Sequence, residues 1–295
     1  MCVRTPAHLP AIDGLPLHPF GQPDADGIVG ESPAAWELRR LLQVVAPRRR
    51  HVLILGQSGT GKELVAAALH RCSGVTGPLI TRNAATLPEG IIDAELFGNA
   101  ESYPNPGMKA RPGLIGAAHG GSLLLDEIAE LPVALQAHLL RVLDAGEYQR
   151  LGESQLRQAE FRLLAATNRP PEDLKPDVLA RFPIRIEVPP LAARKADLPL
   201  LIHHLLRTIG REEPDLVASI MMDGHPRLSP KLVRHLLSSV GADNVRGIHS
   251  GLWMALIHHT HGPLQPAPGT EDESATWEPW VCLLYTSPSP RDRYG

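Results

Sequence analysis

The twelve residues from Val52 to Glu63, VLILGQSGTGKE, constrain this chain more than any others. Val52 to Leu55 is a short, wholly apolar run, the kind that forms a strand buried on both faces. Gly56-Gln57-Ser58-Gly59-Thr60-Gly61-Lys62 fits G-x-x-x-x-G-K, and Glu63 to His70 (ELVAAALH) continues as a good helix former. Strand, glycine-rich turn and helix are the context that a phosphate-binding loop requires. Glycines let the backbone wrap closely, so that successive N–H groups point at phosphate oxygens. The helix N-terminus adds a favourable dipole, and Lys62 brings a mobile positive charge to the outer phosphates. The alternative is a glycine-rich strand–helix turn with no ligand. Glu63 stands where the general pattern has Ser or Thr on magnesium.

With 295 residues, of which 43% are hydrophobic but only 4% aromatic, a core must be packed mainly by Leu, Ala and Val. The net charge of -3, from 29 basic and 32 acidic residues, gives no global signal for nucleic acid or an anionic membrane. Cys2, Cys72 and Cys282 lie far apart without CxxC spacing, which fits a reduced, cytoplasmic protein better than a disulfide framework or zinc site. There is no apolar signal core and no run of the ~20 apolar residues that span a bilayer.

Residues 1–27 are rich in Pro and Gly and read as an irregular lead-in. Ser32 is a plausible N-cap with Pro33 at the first helical position of AAWELRRLLQVVA, and Arg48-Arg49-Arg50 suits that helix's C-terminal dipole. Further strands are expected at Pro78–Thr81, Gly121–Leu125, Phe161–Ala166 and Arg185–Val188. Helices are expected at Pro88–Phe97, Leu114–His119, Pro132–Gly146 and Leu198–Ile209. Strands alternating with helices predict a parallel α/β sheet with ligand chemistry at the strand C-terminal ends. From Arg211 the chain turns helical, with Ser229–Val240 and Asn244–His259 as helices of a small lid. The division expected is an α/β nucleotide domain over 28–210, a lid over 211–261, and a disordered or artefactual tail over 262–295.

A second motif supplies mechanism. Leu123-Leu124-Leu125-Asp126-Glu127 is an apolar strand ending in two adjacent carboxylates. Asp126 is assigned to magnesium and Glu127 to the base that polarises the attacking water; the bland alternative is a pair of solvated surface carboxylates. Asn168, closing FRLLAATN, is placed to orient the same water or touch the terminal phosphate with its amide, or is simply a strand-end turn residue. These strand ends converge only if their strands are neighbours.

The segments GESPAAWELRRLL, GQSGTGKELVAAALH, NAATLPEGIIDAELFG, HGGSLLLDEIAELPVALQAHLLRVLDAGEYQRLG, RLLAATN and FPIRIEVPPLAARKADLPLL occur in this order. Together they resemble the central ATPase domain of sigma-54-dependent transcriptional activators, within the AAA+ superfamily, over roughly residues 28–260. The resemblance implies a P-loop NTPase (AAA+) three-layer parallel sheet with a small C-terminal helical lid, and ATP hydrolysis with Mg2+. It assigns the phosphate loop to Gly56–Lys62, metal and base to Asp126 and Glu127, and the sensor asparagine to Asn168. The family also has Glu after the loop lysine, so Glu63 fits its pattern. Family members form rings and insert arginines into the neighbour's ATP site: Arg181 keeps the second finger position, while Lys175 stands where the first is usual and lacks arginine's planar fork. The lid's sensing arginine carries over to Arg246, with Gly247 in place of the family's glutamate.

Where the family carries GAFTGA, the loop that engages the sigma factor, this chain has Ser102-Tyr-Pro-Asn-Pro-Gly107 with flanks of matching length. The partners implied are a homo-oligomeric ring and sigma-54 RNA polymerase, the latter put in question by this loop; no receiver, sensor or DNA-binding domain and no membrane segment is visible, and the odd tail agrees with a fragment. The function expected is ATP-driven remodelling of a transcription complex. Its alternatives are a remodelling ATPase with another client, or a nucleotide-gated binding protein with weak hydrolysis.

Overall fold

The computed structural model describes residues 21–269 apart from 89, 223, 224 and 239. Most of the expected lead-in and tail therefore lies outside the described residues. Five parallel strands form the central sheet: β1 (Val52–Leu55), β2 (Leu79–Asn83), β3 (Ser122–Asp126), β4 (Arg162–Thr167) and β5 (Ile184–Glu187). Their order is β2-β3-β4-β1-β5. The principal helices are α1 (Pro33–Val45), α2 (Lys62–Cys72), α3 (Val133–Ala145), α4 (Leu198–Glu212), α5 (Pro230–Ser238) and α6 (Val240–Ile257).

Strand alternation divides the core into two layers. Leu53, Leu123, Leu125, Leu163 and Ala165 face one cluster together with Leu139 of α3. Their sequence neighbours Val52, Ile54, Leu124, Leu164 and Ala166 face the other, with Leu42 of α1 and Leu69 of α2. Both faces are covered by helices, which is why these strands read as unbroken apolar runs. A third cluster centres on Ile202, Leu236 and Leu252 of α4, α5 and α6 and also takes in Val29 and Leu264, so packed structure runs past residue 261, where the disordered tail was expected to begin. This is the α/β three-layer architecture with an appended helical lid.

Local signals place most ends. Ser32 Oγ accepts from Ala35 N at 3.2 Å at the start of α1, and Ser229 Oγ accepts from Leu232 N at 3.1 Å at the start of α5. Gly146, left-handed at φ 68°, stops α3. The helix expected over Pro88–Phe97 is confined to Ile92–Phe97, where Leu96 and Phe97 are buried; Pro88, Gly90 and Ile91 before it are exposed and have no such anchor. The C-terminal end of α1 is held mainly from a distance. Arg162, at the start of β4, donates through Nη1 to Ala46 O (2.9 Å), through Nη2 to Val45 O (3.1 Å) and through Nε to Arg50 O (2.9 Å). Burial pushes its guanidinium down to about 10, so it stays charged at neutral pH and satisfies the helix's last carbonyls.

Asp197 joins the helical cluster to the start of α1. Its Oδ1 accepts from the N–H groups of Glu31 and Ser32, both at 2.7 Å, and its Oδ2 from Ser32 Oγ at 2.6 Å. Gly30 leaves room for it, since a Cβ there would lie 2.6 Å from Asp197 Oδ2. Asp197→Ala leaves donors unpaired at ~1–3 kcal/mol each, so a loss of ~3 kcal/mol is expected. Chemical denaturation reads it as a lower midpoint at unchanged slope.

Candidate active site

The strand order makes β3, β4 and β1 consecutive, and register aligns their C-terminal ends. Asn83 of β2 lies opposite Asp126 of β3, and Leu55 of β1 opposite Thr167 of β4. Gly56 N donates to Thr167 O at 3.2 Å, so the phosphate loop leaves the sheet directly beside Asn168. The convergence left open by the sequence is thus met.

Within the loop, Gly59 and Gly61 have φ of 73° and 98°, and α2 begins at Lys62. Lys62 is buried, and its Nζ donates to Gly56 O (3.0 Å) and Gln57 O (3.3 Å). The same ammonium lies 3.8 Å from Glu127 Oε1. The Thr60 hydroxyl donates to Gln57 O at 2.9 Å.

Asn83 Nδ2 donates to Asp126 Oδ2 at 3.3 Å, whereas Asp126 Oδ1 is buried with no hydrogen-bond partner. A buried carboxylate oxygen without a donor is costly, and a divalent cation or its coordinated water satisfies it. The residues present therefore fit magnesium, with Asp126 as the protein ligand; Glu63, following Lys62, has no hydroxyl to offer it. Glu127 adopts a left-handed backbone, φ 50° and ψ 47°. Its Oε2 accepts from Asn168 N at 3.2 Å. Asn168 thus engages the carboxylate through its backbone N–H, while its side chain is exposed at the strand end.

A cleft of about 430 Å³ runs from Lys62 and Asp126 past Ile28, Val29 and Leu201 to His204 and Arg246. Lys62, Asp126 and Arg246 bring polar groups to a lining that also includes apolar Ile28, Val29 and Leu201, a mixture that suits a nucleotide. Arg246 Nη1 donates to Ser58 Oγ at 2.8 Å, which brings the lid arginine onto the phosphate loop. Asn83, Arg194 and Asn244 were not singled out in the sequence. Asn83 could have been, as a polar residue closing the strand LITRN. Arg194 donates through Nη2 to Thr60 O at 3.2 Å, and burial lowers its pKa; nothing local marks it. Asn244 immediately precedes Val245-Arg246, and it interrupts α6 with φ 50° and ψ −132°, so the expected single helix is kinked at its start.

Arg181 does not line this cleft. It forks onto Asp144 at the end of α3, Nε to Oδ1 and Nη2 to Oδ2, the latter at 3.0 Å. The guanidinium holds the Asp144 carboxyl below its usual range. Lys175 is fixed through its backbone N–H, which donates to Gln136 Oε1 at 3.1 Å.

The loop carrying Ser102–Gly107 is tied down at its base. The buried Asn99 donates through Nδ2 to Ala100 O (2.9 Å), Tyr103 O (3.2 Å) and Lys109 O (3.1 Å). Ala100 N donates to Leu151 O, and Leu151 N to Gly98 O, both at 2.9 Å. The Tyr103 side chain lies against Gly152, where a Cβ would sit 2.4 Å from Tyr103 Cγ. Tyr103 and Met108 remain exposed at the tip.

The profile of the family described as the sigma-54 interaction domain matches residues 28–182. The chain is 36% identical over 242 residues to the transcriptional regulatory protein ZraR of Salmonella typhimurium, covering 78% of this chain and 52% of that one. It is 41% identical over 196 residues to a Nif-specific regulatory protein of Azorhizobium caulinodans, covering 64% and 32% respectively. Among solved structures, NtrX from Brucella abortus in complex with ATP superposes with a TM-score of 0.72 at 30% identity, over 83% of this chain and 56% of NtrX. The chain therefore spans about half or less of the length of these relatives.

Proposed function

Because this chain belongs to the sigma-54 interaction domain family, we propose that it binds ATP with magnesium, hydrolyses it, and couples turnover to remodelling of a transcription complex. One observation carries the chemistry: at a single edge of the sheet, Lys62 lies 3.8 Å from Glu127, beside the unpaired Asp126 Oδ1. The nucleotide unit is assigned to 28–210 and the lid to 211–261. That NtrX has been crystallised with ATP supports the choice of ligand.

In this reading the loop N–H groups from Gly56 to Lys62 hold the phosphates, and Lys62 offsets charge on the outer ones. Asp126 would hold magnesium through its unpartnered Oδ1, and the metal would supply charge neutralisation at the phosphates. Glu127 takes a proton from the attacking water as its oxygen bonds to the terminal phosphorus; the bond from that phosphorus to the bridging oxygen breaks, leaving ADP and phosphate. Arg246 touches the phosphates from the lid. Arg181, held away from its own cleft, serves the site of a neighbouring copy in a homo-oligomeric ring. No described helix is long and apolar enough to cross a membrane.

A second reading concerns the client. The clamped loop, with Tyr103 seated on Gly152, favours an ATPase whose target is not sigma-54. Co-sedimentation with sigma-54 in ADP–aluminium fluoride, with magnesium-dependent ATP turnover measured on the same sample, decides between the two. Retention of sigma-54 supports the activator reading; turnover without retention rejects it in favour of another client.

A further inference from the structure

The lid touches the phosphate loop at more than Arg246. Asn244 is fully buried, and its side chain makes three hydrogen bonds around the frame of the site. Its Oδ1 accepts from Leu191 N at 2.8 Å. Its Nδ2 donates to Ser58 O at 3.0 Å and to Gln57 Oε1 at 3.1 Å. The next residue continues the contact, with Val245 N donating to Gly59 O at 3.1 Å. Asn244 holds a left-handed backbone that few non-glycine residues adopt, at φ 50° and ψ −132°. The approach is close: a Cβ on Gly59 would lie 2.2 Å from Asp243 O.

These contacts fall on two consecutive peptide units, Ser58–Gly59 and Gly59–Thr60. In a planar trans peptide the C=O and N–H point in opposite directions. Pinning the Ser58 and Gly59 carbonyls outward therefore turns the N–H groups of Gly59 and Thr60 the other way, to where an anion sits in a loop of this kind. We propose that Asn244 is a positioning residue for the phosphate site: it aims the loop's donors from outside, so that the lid's docking and polyphosphate binding are linked. Linkage is reciprocal. An anion that polarises these peptide units makes their carbonyls better acceptors for the lid, and a docked lid presents preoriented donors to the anion.

The inference rests on the ATP-binding reading, and the test separates the two. Asn244→Gly accepts the left-handed backbone and deletes the side chain; Asn244→Asp keeps the acceptor for Leu191 N and removes both donors. Calorimetric titration of wild type and both variants with ATP and with adenosine is the measurement. Both variants are expected to bind ATP about tenfold more weakly, ~1.4 kcal/mol, and adenosine as wild type does, with thermal midpoints close to wild type for at least one. Should wild type fail to bind ATP, the underlying reading falls. If wild type binds it and the folded variants bind ATP equally well, or lose ATP and adenosine alike, Asn244 does not position the phosphate donors and the inference is overturned.

Discussion

Glu127→Gln is expected to reduce ATP turnover by ~10²–10⁴-fold, the usual contribution of a positioned base, while ATP remains bound. The substitution preserves shape, and the new side chain still offers an oxygen to Asn168 N, the partner that Glu127 Oε2 has at 3.2 Å. The loop contacts of Lys62 to Gly56 O and Gln57 O do not involve Glu127, so the phosphate cradle stays built. What is lost is an acceptor strong enough to take the proton from water. Single-turnover assays, with nucleotide retention followed by filtration, separate the two effects. Turnover that is already negligible in the wild type and unaltered in the variant would favour a nucleotide-gated binding protein.

The largest effect is expected at a residue outside the cleft. Arg181→Ala should cost ~10³–10⁵ in turnover, the range for an arginine supplied across an interface. Arg181 is exposed, and its fork to Asp144 is a surface pair, so folding should be unaffected. Two consequences belong to action in trans and to nothing else. Wild-type specific activity should rise with protein concentration as copies assemble. Mixing Arg181→Ala with Glu127→Gln should restore activity, because each lends the other its missing half: one an intact cleft, the other an intact arginine. Inactive mixtures, or a specific activity constant over a wide concentration range, would show that Arg181 acts within its own chain or not at all. Lys175, a point charge where the family's first finger is usual, would make a weaker finger than arginine, so Arg181 is the residue to test.

The strands were legible because both faces of the sheet are covered, so that LLLD and RLLAAT each read as apolar runs ending in polarity. Ser32, Ser229 and Gly146 were legible because caps act within a few residues. Contacts made across the chain were not. Arg162 closes α1 from more than a hundred residues away, and Asp197 anchors the start of the same helix from the far side of the sheet's sequence. The bond from Asn168 N to Glu127 Oε2 was not legible either, since it depends on how Glu127 turns back at φ 50°.

The stretch Val52–Glu63, with Leu123–Glu127, was enough to indicate an α/β P-loop fold and the residue types gathered at its strand ends. Those properties follow from local backbone freedom, apolar runs and residue type, which a linear sequence carries. Tertiary structure decided how that chemistry is framed. It set β3, β4 and β1 side by side, left one oxygen of Asp126 unpaired, turned Arg181 away from its own cleft, and laid the lid on Gly59 so closely that no side chain fits between them. Gly59 shows the difference most plainly: its sequence context explains it by the phosphates on one side, and only the fold reveals a carbonyl pressed against the other. Such contacts join residues nearly two hundred positions apart, and the packing that brings them together has no periodicity in the chain to announce it.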